Sequence, residues 1–540
     1  MNNKRVFLKF LPYLLALFFF VALFTAGLLI YKDFGVPIDE SYQLQVAQKN
    51  HSYIFDGDPT LLSFKDRYYG VVFELPLFWA STRFTGPETV SARHLLLFLA
   101  FLASLVIFYF LSLRLFHNSW WGLLAVFTLA ASPRIFSDAF YNSKDIAFMD
   151  VFILSIWTLV LAVDIPEKRK WLYTCVLVFV HALASSLLIG TRIAGVMIVP
   201  ISVILLGIAN LRIDQSWRKI LMIIAIYLIV TAGATVLFWP VLWHDPLREF
   251  LNAFLQMSKY DVYGKAVLYL GQYYPSEALP WHYLPVWIAI STPIVLLAGF
   301  VIGIEEWIRS TILFSQAVTE NTLKKFGRWV SNPDTLPWLA VAGWLVIPII
   351  SIYLFHSVLY NGWRHLFFIY PAIILFATHG FSSLHNWLSQ LTGRRTEITI
   401  LIILVLAVGL FEPISFLSRY HRYGTVYFNQ LAGDPKTLRQ RFELDYWGLS
   451  YKEAIDYILV TDQSEKIPIY IADVSGLDYI NSALTKSQKS RLMVLDSPDN
   501  GARFFIGNYT FHPADYYPTS RVYYSINVRG TEIIVVYQFQ

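Results

Sequence analysis

Long apolar runs separated by short polar loops dominate the pattern of this chain up to about residue 417. A helix needs about 20 apolar residues to cross a hydrocarbon core. Runs of that kind fall at 11–30, 92–113, 120–133, 146–163, 171–190, 193–210, 219–239, 284–304, 336–356, 365–381 and 397–417. The first is too long for a removable signal segment and lacks a small-residue cleavage site, so it reads as an anchor. The pattern predicts a polytopic α-helical membrane protein with about 11 transmembrane helices.

After Leu417 the pattern changes. "IPIYIADV", "RLMVLD", "RFFIGNY", "RVYYSINV" and "EIIVVYQF" alternate or are β-branched, and Gly, Pro, Asn and Asp separate them. "SYKE" at Ser450–Glu453 has capping-box spacing ahead of "AIDYILV". Two domains are expected: a multi-span membrane domain over 1–417 and a small α/β domain over 418–540.

Composition agrees with this division. Hydrophobic residues make up 56% of the 540 and charged residues 15%, far from the roughly 25% charged of a soluble domain. Forty-two Lys and Arg against 37 Asp and Glu is too mild an excess to indicate nucleic acid. With one cysteine, Cys175, the chain has no internal disulfide and no thiolate metal site.

Lys and Arg in short loops mark the cytoplasmic face. If "MNNKRVFLKF" is cytoplasmic, the same side receives "DIPEKRK", "LRIDQSWRKI", the stretch with Lys324, Lys325 and Arg328, and "TGRRTE". The loop after the first span, the loop over 240–283 and the C-terminal domain then lie on the outer face.

Ionisable residues at bilayer depth are costly, so those at span ends are functional candidates. On the predicted outer face stand Asp39 and Glu40 in "GVPIDESY", Glu74, Arg93 and His94, Arg134, Lys144 and Asp145, Arg192, His244 and Asp245, and Arg364 and His365. Each has a plainer reading. Arg134 and Lys144 taken alone are lipid-headgroup anchors, and Trp239, Trp243, Trp281 and Trp287 are an interfacial belt. His244, His282 and His365 are neutral, hydrogen-bonded side chains. The pair Asp39–Glu40 resists such a reading, because it complements no basic neighbour and belongs to no solvated charge run.

The order "DE", "FELP", "SPRIFSDAFYNSKDIAFM", "LPWHYLPVWIAISTP", "GWRHLFFIYPA" and "FELDYWGLSYKEA" resembles the GT-C membrane glycosyltransferases. Within them it resembles the group of protein O-mannosyltransferases and the bacterial aminoarabinose transferase of lipid A. The resemblance implies inverting transfer of one sugar from a polyprenyl-phosphate donor to a hydroxyl of a protein, lipid or glycan, at the outer face of a bacterial inner membrane. Asp39 matches the general base, Glu40 a residue that orients it or a sugar hydroxyl, and Glu74 a holder of acceptor or cation. Arg192, Arg364, Arg93 and Lys144 suit the donor phosphate, since guanidinium and ammonium groups bind phosphate oxygens. Asp145, His94, His244 and His365 are further site candidates. Glu74 with His244 is a mixed O/N pair of the kind zinc accepts, but no tight ligand spacing such as HExxH occurs, so no cofactor is expected and a divalent metal stays an open alternative. "LP" follows Glu74 where the aminoarabinose transferases carry Lys-Pro-Pro, which leaves the sugar open. A transporter or flippase of a lipid-linked substrate is the alternative, although no matching Gly/Pro-interrupted spans mark a midplane site. A non-catalytic scaffold is the third reading.

Overall fold

The computed structural model describes residues 2–164, 171–212, 216–258, 266–317 and 329–539. Among them, nine helices are long and apolar enough to cross a membrane: Phe10–Ile30, Pro87–Phe116, Asp145–Val163, Trp171–Thr191, Ile193–Leu211, Trp217–Phe238, Thr335–Phe355, Arg364–Thr392 and Arg395–Val426. The chain is a multi-pass membrane protein. Lys324, Lys325 and Arg328, and all of "DIPEKRK" except its first residue, lie outside the described residues.

Two of the expected spans differ from the reading above. The run at 120–133 is a helix of 12 residues, Ser119–Ala130, started by the Asn118 side chain, which accepts from the Trp120 N–H at 2.9 Å. It is too short to cross by itself, and the chain continues directly into a second short helix, Pro133–Asp138. The run at 284–304 is broken into Tyr283–Ser291 and Ile294–Ala317. Pro293 lies between them, and a proline both lacks the N–H for an i−4 bond and clashes with the preceding turn. The second piece also carries Glu305, Glu306 and Arg309.

Side-chain contacts show which helix ends meet. Arg114, near the end of Pro87–Phe116, pairs with Asp164 after Asp145–Val163 at 2.7 Å and with Asp334 before Thr335–Phe355 at 3.0 Å. The opposite ends of these same helices converge on Asp39, Glu74 and Arg364, so one rim of the bundle carries nearly all the candidate residues. Close packing fixes the frame. A methyl on Gly303 would overlap the Phe376 carbonyl, and one on Gly380 the Gly299 carbonyl, so Ile294–Ala317 and Tyr370–Thr392 approach backbone to backbone.

At that rim, strands β1 (Ala266–Tyr269) and β2 (Gln272–Pro275) form a hairpin closed by Leu270 and Gly271, both at positive φ. The C-terminal sheet contains β3 (Ile467–Ile471), β4 (Leu492–Val494), β5 (Phe504–Asn508), β6 (Val522–Val528) and β7 (Thr531–Gln538), in the order β4-β3-β5-β7-β6. Strand β3 pairs in parallel with β4 and β5, whereas β7 pairs antiparallel with β5 and β6. The expected capping box does not form. Helix Ser450–Thr461 takes Leu449 as its first cap position with no side-chain bond there. Asp445 does the capping instead, accepting from the Leu449 N–H at 3.1 Å and the Ser450 N–H at 3.2 Å, while Glu453 accepts from Arg422, Tyr423 and Tyr524.

Candidate active site

Asp39 closes the loop that follows the first span and precedes helix Glu40–Phe55. The loop is held from the C-terminal side: the Ile38 N–H donates to the Trp447 carbonyl at 3.0 Å, and Gly35 lies too close to the Leu449 backbone for any side chain. The Asp39 carboxylate is 2.9 Å from Lys144 Nζ and 3.7 Å from Arg364 Nη1. Burial pushes this carboxyl up, but Lys144 and Arg364 together outweigh burial and hold it below the ordinary Asp value.

A local turn places Lys144 and Asp145 beside it. Asn142 Oδ1 accepts from the Asp145 N–H at 2.8 Å, and Asn142 Nδ2 donates to Asp138 at 2.8 Å and to Asp145 at 3.2 Å. Asp145 opens helix Asp145–Val163, where the backbone dipole favours a carboxylate. Its oxygens take Arg192 and, at 3.0 Å, Arg364. The Arg364 guanidinium lies over the rings of Trp447, at 4.5 Å, and Tyr360, at 5.2 Å. Lys144, Arg192 and Arg364 thus face Asp39 and Asp145, three cations against two carboxylates in direct ion pairs.

Four of these five groups, all but Asp39, line one end of a cavity of about 520 Å³. Lys144, Asp145, Arg192, Arg364 and His365 supply the polar end; Ile193, Met197, Phe254, Met257, Ile347 and Phe355 supply an apolar wall. His365 Nδ1 is buried there without a hydrogen-bond partner. A smaller cavity of about 70 Å³, lined in part by Gln43, Glu74, Ser143 and Thr191, shares Lys144 and Arg192 with the larger one.

Several candidates fall elsewhere. Arg93 is fully buried and paired with both Glu40 and Glu74, so it is a clamp between two carboxylates rather than a free phosphate ligand. Burial, with Glu74 nearby, raises the Glu40 carboxyl above its ordinary value despite Arg93. Glu40 is paired with Arg93 and not with the cations around Asp39, and Glu74 meets Arg93 through one oxygen while the other has no hydrogen-bond partner. His94 Nδ1 is 3.3 Å from the Tyr31 carbonyl, and its ring packs edge-on to Phe34. His244 is exposed beyond Pro240–Trp243 and lines neither cavity, so the Glu74–His244 pairing is not assembled. Among the described residues no group of three His, Cys, Asp or Glu side chains could hold a metal.

Arg134 is no headgroup anchor. It is buried, donates to the Tyr427 carbonyl at 3.2 Å and sits over the rings of Trp287 and Phe428. Trp239 and Trp287 are likewise core residues rather than belt residues, while Trp243 and Trp281 are exposed. Asn142 and Trp447, which organise the ion pairs, escaped the sequence reading. Asn142 two positions before Lys144 has the spacing of an Asx turn and was the one available signal. Nearby, burial raises Asp138 to about 6 and Asp445 to about 7 against the pull of their hydrogen bonds.

No family model matches this chain, and no curated protein does. Among solved structures it is similar to the oligosaccharyltransferase AglB of Archaeoglobus fulgidus in complex with an inhibitory peptide and a dolichol-phosphate, at 10% identity and a TM-score of 0.47, over 91% of this chain and 69% of that one. It is also similar to ArnT of Cupriavidus metallidurans bound to undecaprenyl phosphate, at 13% identity and a TM-score of 0.46, over 96% of this chain and 97% of that one. The apo state of the same ArnT has 13% identity and a TM-score of 0.49, with equal coverage.

Proposed function

We propose that the chain is a GT-C-type glycosyltransferase that moves a monosaccharide, with inversion, from a polyprenyl phosphate to an acceptor hydroxyl. The observation that supports this most is the cavity whose polar end gathers Lys144, Arg192 and Arg364 around the Asp145 carboxylate and whose wall is apolar. Such a cleft suits an anionic phosphate esterified to a hydrocarbon chain: Lys144, Arg192 and Arg364 face the phosphate, and the lipid follows Ile193, Ile347 and Phe355. Asp39 stands one ion pair behind that end.

In the reaction, Asp39 takes the proton of the acceptor hydroxyl as its oxygen bonds to the anomeric carbon. The bond from that carbon to the phosphate oxygen breaks, and its electron pair leaves on the polyprenyl phosphate. Lys144, Arg192 and Arg364 face this developing negative charge, which is how a fixed electrostatic site lowers a barrier. Arg93, buried between Glu40 and Glu74, serves the fold. The basic N-terminal segment and "TGRRTE" favour a cytoplasmic N-terminus, which puts the site and the 418–540 domain outside a bacterial inner membrane.

The test is release of free polyprenyl phosphate from a panel of synthetic polyprenyl-phosphate monosaccharides, with membrane extract supplying acceptors. Release by the purified chain supports transfer and identifies the sugar. Movement of intact donor across proteoliposomes without release would instead support the flippase reading. Arg192→Ala is expected to weaken donor binding by roughly 10-fold or more, the worth of one charge-assisted contact, with acceptor preference unchanged. Unaltered donor affinity would remove the phosphate role from Arg192.

A further inference from the structure

Helix Pro246–Ser258, "PLREFLNAFLQMS", follows the span Trp217–Phe238 by only a few residues. It divides into three faces. Leu247, Leu251 and Leu255 recur at i, i+4 and i+8, within about 80° of arc at 3.6 residues per turn. They are 71%, 51% and 66% exposed, far more than isolated surface leucines require. A second face is seated on the protein: Ala253 is buried with Trp239, Val241 and Leu242, and Glu249 accepts from the Tyr68 hydroxyl at 2.7 Å. The third face carries Arg248 and Asn252.

We infer that this helix lies in the plane of the membrane interface, with Leu247 and Leu251 inserted into the acyl region of the leaflet and Arg248 among headgroups and water. The occupant of the leucine face is phospholipid, because that face continues the apolar surface of the preceding span. Leu237 is 63% exposed, and Trp243, itself an exposed ring four residues before Leu247, donates its indole N–H to the Val236 carbonyl in the last turn of the span at 2.8 Å. Three faces of apolar, packed and polar character are what an interfacial helix needs; a helix standing in water has no use for the first. Phe254 and Met257 of the same helix wall the 520 Å³ cavity, so the leaflet supports one side of that cleft. The membrane placement does not rest on the proposed reaction.

Nitroxide labels at Leu247→Cys, Leu251→Cys and Arg248→Cys, each in a Cys175→Ser background, test this in proteoliposomes of phosphatidylethanolamine and phosphatidylglycerol. Collision with oxygen relative to a water-soluble nickel chelate is expected to be several-fold higher at 247 and 251 than at 248. Nickel access at 247 and 251 equal to that at 248 would overturn the inference, and so would low access of both reagents, which would mean a protein cover. A readout on the unsubstituted chain uses a phospholipid with a photoactivatable acyl chain. Adducts within 246–258 are expected, and their absence beside adducts on 217–238 would overturn it as well.

Discussion

Asp39→Asn is expected to abolish sugar transfer while leaving the protein folded. A positioned base contributes roughly 10²–10⁴-fold to a rate, and an amide cannot take a proton from a hydroxyl. The fold is expected to tolerate the change because the surrounding cations keep another carboxylate: Arg192 and Arg364 both remain on Asp145. Asparagine also keeps an oxygen for Lys144. Release of polyprenyl phosphate by the two proteins at equal folded concentration is the measurement. Turnover within tenfold of the unsubstituted chain would take the base role away from Asp39.

The pH dependence tests the same assignment. Asp39 is held below its ordinary value, so it is ionised through the neutral range, and the acid limb of kcat/KM is expected below the usual Asp range. The sign for stability is the same: the ion pairs of a depressed carboxyl contribute above its unfolded value and are lost as pH falls through the folded value. Lys144→Met removes the larger of the two lowering influences and leaves burial less opposed. The acid limb of that variant should move up. A limb that stays put would mean that another group sets it.

What was legible in the sequence divides along physical lines. Hydropathy counts apolar residues, so it found the spans but saw no break at 284–304, where Pro293 hides among apolar neighbours and stops the helix by geometry rather than polarity. Asp39 was legible because it lacks a local partner, a property of sequence. Arg93 was not. Cations at span ends look alike along the chain, and its partners Glu40 and Glu74 stand 53 and 19 residues away, brought to it only when the helices close. The capping spacing at Ser450–Glu453 failed for a related reason: Asp445, five residues before Ser450, takes the Ser450 N–H that Glu453 would have met, through a turn with positive φ at Asp445 and Gly448. The strands of the C-terminal sheet needed no such closure to be visible, since alternation is local.

Arg93→Met is expected to cost more stability than any other single change at this rim. Arg93 is fully buried between two buried carboxylates, so its removal strands negative charge in the interior. Breaking a buried ion pair from one side costs about 3–5 kcal/mol, and most of that is the penalty of the charges left behind. If so, the loss should be reversible by chemistry rather than by restoring the arginine. Arg93→Met combined with Glu40→Gln and Glu74→Gln removes the stranded charges and should recover most of the melting temperature, a coupling that a double-mutant analysis isolates. Thermal unfolding of the purified proteins in one detergent decides it. A triple variant no more stable than Arg93→Met would mean that Arg93 acts by packing. An Arg93→Met protein as stable as the unsubstituted chain would mean that the clamp is dispensable. Glu40 adjoins Asp39, so the single variant should also lose transfer activity, and recovery of stability without recovery of activity would show that Glu40 and Glu74 serve the site beyond holding Arg93.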